Sequence, residues 1–309
     1  MSKLGLALGG GGARGLAHIG VLKVFDESGI KVSAITGCSI GAIVGGLYAL
    51  YGNALKVEEF ILKSVKNPGF AKLDIESLNG NGDKLNKNSL EKFSMYIMSR
   101  IHAINAIGRL SYFDPGDVEK IYEAIPDIPV ESLGIPFSAV ATDLNSGEEI
   151  NFTRGSLRQV IKASSAIPGI FPPVAIESFL LVDGSASDSI PVRKVKEIGA
   201  DRVVAIDVAK SLKISGPVNN IFDVLYRTED VTSYQLSKLR LTEAELIISP
   251  RVKELSWADF DCAEEIIEQG EIAAKENLAK IKQLIAASTY SLKMKRYFKN
   301  LIVSKTAPL

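Results

Sequence analysis

The chain has 309 residues, of which 46% are hydrophobic and 23% are charged, as in an ordinary globular protein. Its 36 Lys and Arg residues balance 36 Asp and Glu residues, so charge gives no indication of a nucleic-acid partner. The two cysteines exclude a disulfide framework and fit a reducing compartment. The chain has no signal-peptide pattern and no apolar run of about 18 residues. We therefore expect a cytoplasmic protein with no membrane-spanning segment.

Short apolar strands alternate with helices from the first residues onward. Residues 4–8 predict a buried strand, 15–27 a helix, 32–36 a second strand and 42–50 a second helix. This alternation is typical of a parallel sheet with crossover helices. Later segments predict four further strands (137–141, 179–182, 203–206 and 246–248) and a long amphipathic helix (264–286). We expect one compact domain over residues 1–287.

Two segments each have two interpretations. Residues 67–116 contain a loop and a helical pattern at 89–109, which fit either a lid over an apolar substrate or a helical layer on the sheet. Residues 288–309 carry five Lys or Arg residues with interleaved aromatic residues and no acidic residue. That tail predicts either peripheral contact with a membrane surface or an ordinary solvated terminus.

The segment Gly37-Cys38-Ser39-Ile40-Gly41 reads G-x-S-x-G between a strand and a helix. This is the context of a nucleophile elbow, in which a sharp turn exposes the serine hydroxyl at a helix N-terminus. The competing explanation is chance, since the chain has 26 glycines. Cys38 is either a second nucleophile or a small residue that fills the turn.

A glycine-rich loop, residues 9–15, follows the first strand and opens a helix. A dinucleotide site would need an acidic residue about 20 residues further on, but none occurs between Glu27 and Glu58. A P-loop would need Lys followed by Ser or Thr, which is also missing. What remains is a loop whose N–H groups suit an oxyanion. Arg14 either adds positive charge or holds the loop through carbonyl groups.

The base that would activate Ser39 is less clear from the residues. Only His18 and His102 are available, and neither completes the usual order of serine, acid and late histidine. A carboxylate can also act as the base. Asp143, Asp183 and Asp207 each follow an apolar run, and the residues do not rank the three decisively. Asp183 is the best placed, and burial at a strand end would raise its pKa.

Four blocks in the same order resemble the bacterial patatin-like phospholipases: residues 10–15, 37–41, 163–173 and 183–185. The resemblance covers roughly residues 4–210. It implies a three-layer α/β/α fold, a Ser39–Asp183 dyad and no metal or cofactor. It also implies oxyanion contacts at Gly10, Gly11, Gly12 and Ile40, with supporting roles for Arg14, Gly37, Gly41 and Gly184. The chain departs from the family pattern at Ser185, whose hydroxyl would compete for Asp183.

The resemblance implies a serine hydrolase that cleaves the acyl esters of phospholipids or other lipids through an acyl-enzyme. One alternative is a transacylase that uses the same dyad, and another is a lipid-binding regulatory protein without catalysis. Free fatty acid or an acylated acceptor as product separates the first two. The residues leave open the head group, the acyl position and the oligomeric state, a homodimer included.

Overall fold

The structure, a computed structural model, describes residues 2–67, 70, 109–209 and 221–287. Most of segment 67–116 lies outside these residues, together with His102 and the tail 288–309. The lid and the membrane-contacting tail therefore stay predictions.

A single sheet organises the described chain. Its strands are β1 (Leu4–Leu8), β2 (Ala34–Cys38), β3 (Phe137–Asp143), β4 (Glu149–Phe152), β5 (Val174–Ile176), β6 (Phe179–Asp183), β7 (Arg202–Ile206) and β8 (Leu246–Ile248). The order is β5-β6-β3-β2-β1-β7-β8, with β4 paired to β3 off this path. The neighbouring pairs β3–β2, β2–β1, β1–β7 and β7–β8 are parallel. Strands β4 and β6 run antiparallel to β3, and β5 runs antiparallel to β6. The predicted mostly parallel sheet is confirmed.

Helices cover both faces of this sheet: α1 (Ala17–Glu27), α2 (Ile40–Tyr51), α3 (Ala54–Val65), α4 (Pro115–Tyr122), α5 (Leu157–Ser164), α6 (Val192–Glu197), α7 (Ile221–Leu241) and α8 (Ala263–Ala286). Side chains alternate between the faces because the side-chain period of a strand is two residues. Leu6 and Leu8 pack into the large core with α1, α2 and α8. Ala7, on the opposite face, packs with Val192 and Val195 of α6. The three-layer arrangement is thus confirmed.

Within the described residues, the predicted strands and helices are present, with small shifts in their bounds. The second strand begins at Ala34 and reaches Cys38, so it starts two residues later than predicted and ends directly before Ser39. The strands β4 and β5 were not predicted. They have only four and three residues, and most of their side chains are only partly buried, unlike those of the central strands.

Helices α1 and α8 cross at two glycines. A Cβ at Gly270 would lie 2.0 Å from the carbonyl oxygen of Ala17, and one at Gly20 would lie 1.9 Å from that of Ile267. The backbones can approach this closely only because neither residue has a side chain. The crossing joins the first helix to the last and holds α1 behind the glycine-rich loop.

We expect Gly270→Ala to destabilise the protein by roughly 1–3 kcal/mol, because overpacking forces the helices apart. The gain in helix propensity, about 1 kcal/mol at most, offsets only part of this. Chemical denaturation measures the difference. Gly134→Ala is the control, since its Cβ would have no neighbour closer than 3.6 Å. A Gly270→Ala protein as stable as the wild type would contradict the close crossing.

Candidate active site

The predicted strand–turn–helix context of Ser39 is confirmed. Strand β2 ends at Cys38, α2 begins at Ile40, and Ser39 between them has φ 54° and ψ −125°. A positive φ is strained for a serine. The turn is tight enough that a Cβ at Gly37 would lie 2.3 Å from the Gly41 carbonyl oxygen, and one at Gly41 would lie 2.2 Å from that of Leu8. Both flanking positions therefore require glycine.

Asp183 lies beside this turn because of the register of β6. That strand is antiparallel to β3 and pairs Asp183 with Ala141, while Cys38 of β2 pairs with the adjacent Val140. Asp183 is 2% exposed. Burial raises the pKa of its carboxyl group, although hydrogen bonds from the Ser39 hydroxyl and from Ser185 oppose the shift. The carboxylate is thus a stronger proton acceptor than a solvated aspartate.

The departure at Ser185 affects this carboxylate directly. The Ser185 N–H donates to Asp183 Oδ1 at 2.8 Å. Its hydroxyl also interacts with the Asp183 carboxylate and lowers the pKa of that group. Ser185 and Ser39 thus both act on the Asp183 carboxylate, and competition between their hydroxyl groups stays a prediction.

The other two candidate bases are engaged elsewhere. Asp143 accepts hydrogen bonds from Leu180 N–H at 2.9 Å and from Ser146, whose hydroxyl lies at 2.8 Å. Burial alone would raise the pKa of Asp143, but these hydrogen bonds outweigh it and lower the pKa. Asp207 forms an ion pair with Lys253 at 2.9 Å. Of the three aspartates, Asp183 is the one that interacts with Ser39.

Cys38 is a buried thiol beside Asp183, and its Sγ lies 3.7 Å from Asp183 Oδ1. Burial, together with the negative charge of Asp183, raises the pKa of Cys38 well above its usual value. The thiol therefore stays protonated and acts as a weak donor. This agrees with a small residue that fills the turn and gives no support to a thiolate nucleophile.

The glycine-rich loop enters the site above strands β1 and β7. The Gly10 N–H donates to the Ser189 carbonyl oxygen at 2.9 Å, which corrects the expectation that Gly10 supplies an oxyanion donor. Among the residues that the structure describes, the N–H groups of Gly11, Gly12 and Ile40 have no hydrogen-bond partner. These three groups remain available to a developing negative charge.

Arg14 holds this loop in place. Its Nε donates to the Val208 carbonyl oxygen and its Nη1 to that of Leu255, both at 3.0 Å. The side chain is 6% exposed, and burial lowers its pKa to about 10. Of the two roles considered for Arg14, the contacts favour fixing the loop.

His18 contacts the same loop from α1. Its Nε2 donates to the Gly9 carbonyl oxygen at 2.8 Å, and the side chain is fully buried. Burial lowers the pKa of His18 to about 4 and outweighs the hydrogen bond to Gly9. The ring is therefore neutral near pH 7, and its contact is with the loop backbone.

An apolar pocket of about 850 Å³, its open mouth included, adjoins Ser39 and is also lined by Gly12 and Ile40. Its wall includes Phe60, Phe171 and Trp257. Sequence reasoning did not identify Trp257 or Tyr122 as part of a site. They come from distant segments and carry no local motif, so only the folded chain brings them together.

The hydroxyl groups of Ser64 and Ser165, which line this pocket, already have hydrogen-bond partners in the protein. Ser64 donates to the Phe60 carbonyl oxygen at 2.8 Å. Ser165 donates to that of Ile161 at 2.7 Å and accepts a hydrogen bond from Tyr122 at 2.8 Å. Because these hydroxyl groups already have protein partners, the pocket wall behaves as an apolar surface toward a bound molecule.

Within the described ranges, no helix is long and apolar enough to cross a bilayer. In the same part of the chain, no group of three or more His, Cys, Asp or Glu residues has a metal-binding arrangement.

Comparisons of this chain with family models and with known proteins agree on one family. A family model described as patatin-like phospholipase matches residues 6–195, more than half of the chain. An uncharacterized NTE family protein of Mycobacterium bovis is 35% identical over 212 residues, which cover 67% of this chain and 49% of the relative. Lysophospholipase NTE1 of Cryptococcus neoformans is 32% identical over 210 residues, which cover 67% of this chain and 11% of that protein.

The chain thus spans about half of the mycobacterial relative and about a tenth of the fungal one. Among solved structures, VipD from Legionella pneumophila matches 90% of this chain and 67% of its own, with a TM-score of 0.50 and 14% identity. Because the two sequences are only 14% identical, this comparison shows a similar fold and says nothing about activity.

The lowered pKa of His18 predicts an acid-sensitive contribution to stability. Since the unfolded histidine titrates near 6.5 and the folded one near 4, the unfolded state binds more protons between these values, and stability falls as pH drops. Relative to His18→Gln, the wild type should lose about 2 kcal/mol between pH 7 and pH 5. Denaturant unfolding of both proteins measures this. A difference that is constant with pH would contradict the assignment.

Proposed function

The chain belongs to the patatin-like phospholipase family, and we propose that it is a serine lipid acyl hydrolase with Ser39 as nucleophile and Asp183 as general base. One observation carries the proposal. A strained serine at the N-terminus of α2 interacts with a buried carboxylate whose pKa is raised, at the wall of an apolar pocket. A lone carboxylate suits this task when its pKa is shifted toward the working pH.

In the first step, Ser39 Oγ attacks the carbonyl carbon of the ester while its proton passes to Asp183. The carbonyl oxygen becomes an oxyanion, for which the N–H groups of Gly11, Gly12 and Ile40 are the proposed donors. When the tetrahedral intermediate collapses, the C–O bond to the alcohol breaks and Asp183 returns the proton to the leaving oxygen. The products are the free alcohol and an acyl-Ser39 ester.

In the second step, water attacks the acyl carbon and gives a proton to Asp183. Collapse breaks the bond to Ser39 Oγ, which takes the proton back, and the fatty acid leaves. The same carboxylate thus serves as base and acid in both steps. A transacylase would differ only in the acceptor that replaces water.

The proposed substrate is an acyl-ester lipid whose acyl chain occupies the pocket. Support comes from the aromatic and aliphatic wall and from hydroxyl groups that already have protein partners. Burying a polar substituent there would leave it without hydrogen bonds. A plain hydrocarbon chain is therefore favoured, and membrane contact through 288–309 stays a prediction from the sequence.

A fluorophosphonate probe tests the nucleophile. Wild type should be labelled at Ser39 and should hydrolyse p-nitrophenyl butyrate and lipid in vesicles. Ser39→Ala should lose both properties, and Asp183→Asn should lose roughly 10²–10⁴-fold in turnover because the general base is gone. Mass spectrometry of the labelled peptide and the rate of nitrophenol release are the measurements.

Asp143→Asn is the matched control, since Asp143 is also buried at a strand end but interacts with Leu180 and Ser146. It should keep turnover. Loss of turnover in Asp143→Asn, with Asp183→Asn active, would move the base to Asp143. A wild type that binds vesicles but is neither labelled nor active would indicate a lipid-binding protein.

The pH profile should report the Asp183 carboxyl group. Because the base must be ionised, kcat/KM should fall as pH drops through its raised pKa. Ser185→Ala removes a hydroxyl that stabilises the carboxylate, so the pKa should rise further and the acidic limb should move to higher pH. Identical limbs in wild type and Ser185→Ala would contradict this reading.

A further inference from the structure

Three consecutive residues at the end of α5 contact three different parts of the site. The Ser39 N–H donates to Ser164 Oγ at 3.1 Å, and the Asp183 N–H donates to the Ala166 carbonyl oxygen at 2.8 Å. Between them, Ser165 accepts the hydrogen bond of Tyr122 from the pocket wall. One short segment therefore holds the backbones of the proposed nucleophile and of the proposed base.

The Ser164 hydroxyl has a defined orientation. It donates its only proton to the Val140 carbonyl oxygen on β3 at 2.6 Å, so the oxygen that faces Ser39 acts as acceptor. Ser164 is 0% exposed, so bulk water does not reach it. Through Ser164, Ser39 is also linked to Val140 on β3. Val140 precedes Ala141, which pairs with Asp183.

Ser39 needs such a partner because of its backbone conformation. With φ 54° it is strained, and its N–H is the group that Ser164 satisfies. A strained residue persists only where its surroundings fix it. A buried N–H without a partner would favour relaxation of the turn.

We propose that Ser164 is a positioning residue, which holds the Ser39 backbone in its strained conformation and thereby keeps Ser39 Oγ in line with Asp183. The inference rests on the proposed function. It assigns a task to part of the block 163–173, which the sequence singled out without a role. A displacement of about 1 Å at such a site can cost on the order of 10²-fold in rate.

The test compares Ser164→Ala and Ser164→Cys with wild type. Alanine removes both hydrogen bonds, whereas a thiol keeps a weaker donor and acceptor. We expect kcat to fall about 10–100-fold in Ser164→Ala and less in Ser164→Cys, with KM nearly unchanged. Fluorophosphonate labelling should slow in parallel yet still reach one label per chain, because the nucleophile is present but displaced.

Ser138→Ala is the matched control. Ser138 is also fully buried, and its hydroxyl pairs with Thr36 on the same sheet at 2.8 Å. Both alanine variants should lose thermal stability, but only Ser164→Ala should lose kcat. Equal kcat in Ser164→Ala and wild type, or equal losses in Ser164→Ala and Ser138→Ala, would overturn the positioning role.

Different results would contradict the proposed function and the proposed positioning role of Ser164. If wild type is not labelled at Ser39, the proposed function fails and the positioning role fails with it. If wild type is labelled and Ser164→Ala is labelled at the same rate, only the positioning role fails. Should Ser164→Ala not fold, the Ser164→Cys protein decides, since unchanged kcat and labelling rate there overturn the proposal.

Discussion

The close approach of backbones around Ser39 is the constraint on which the site depends. Helix α2 begins against β1 and β2 with so little space that a Cβ at Gly37 or Gly41 would overlap a carbonyl oxygen. This proximity forces the positive φ of Ser39 and stores strain of about 1–3 kcal/mol, which the surrounding core must offset. The core can do so because β1 and β2 are buried throughout and helices cover both of their faces.

The direction of β6 decides which carboxylate meets the serine. Since β6 is antiparallel to β3, its last residue, Asp183, lies at the level of Ala141 inside the sheet. Asp143 lies two residues further along, at the end of β3, where Leu180 of β6 and Ser146 of the following turn supply it with hydrogen bonds. The two aspartates at strand ends therefore have pKa shifts of opposite sign. Burial outweighs the hydrogen bonds at Asp183 and raises its pKa, whereas the hydrogen bonds outweigh burial at Asp143 and lower its pKa.

Buried polar groups fix the glycine-rich loop before any substrate binds. Arg14 and His18 have lowered pKa values because burial disfavours their charged forms, yet each donates to backbone carbonyl groups at the loop or beside it. The N–H groups of Gly11 and Gly12, which have no partner in the described part of the chain, belong to a backbone that is already held. In the proposed mechanism, donors that are fixed in advance would need little reorganisation when charge develops.

The sequence alone determined the local features: the central strands, the elbow around Ser39 and the glycine-rich loop, because each depends on residue types at fixed spacing. It did not decide among Asp143, Asp183 and Asp207, assign the Gly10 N–H, or bring Tyr122 and Trp257 to the pocket. Strand direction, register and contacts between distant segments place Asp183 beside Ser39, give the Gly10 N–H a carbonyl partner and bring the pocket wall together. These features arise from packing across the sheet, which brings together residues more than a hundred positions apart. The local spacing of residue types does not determine that packing.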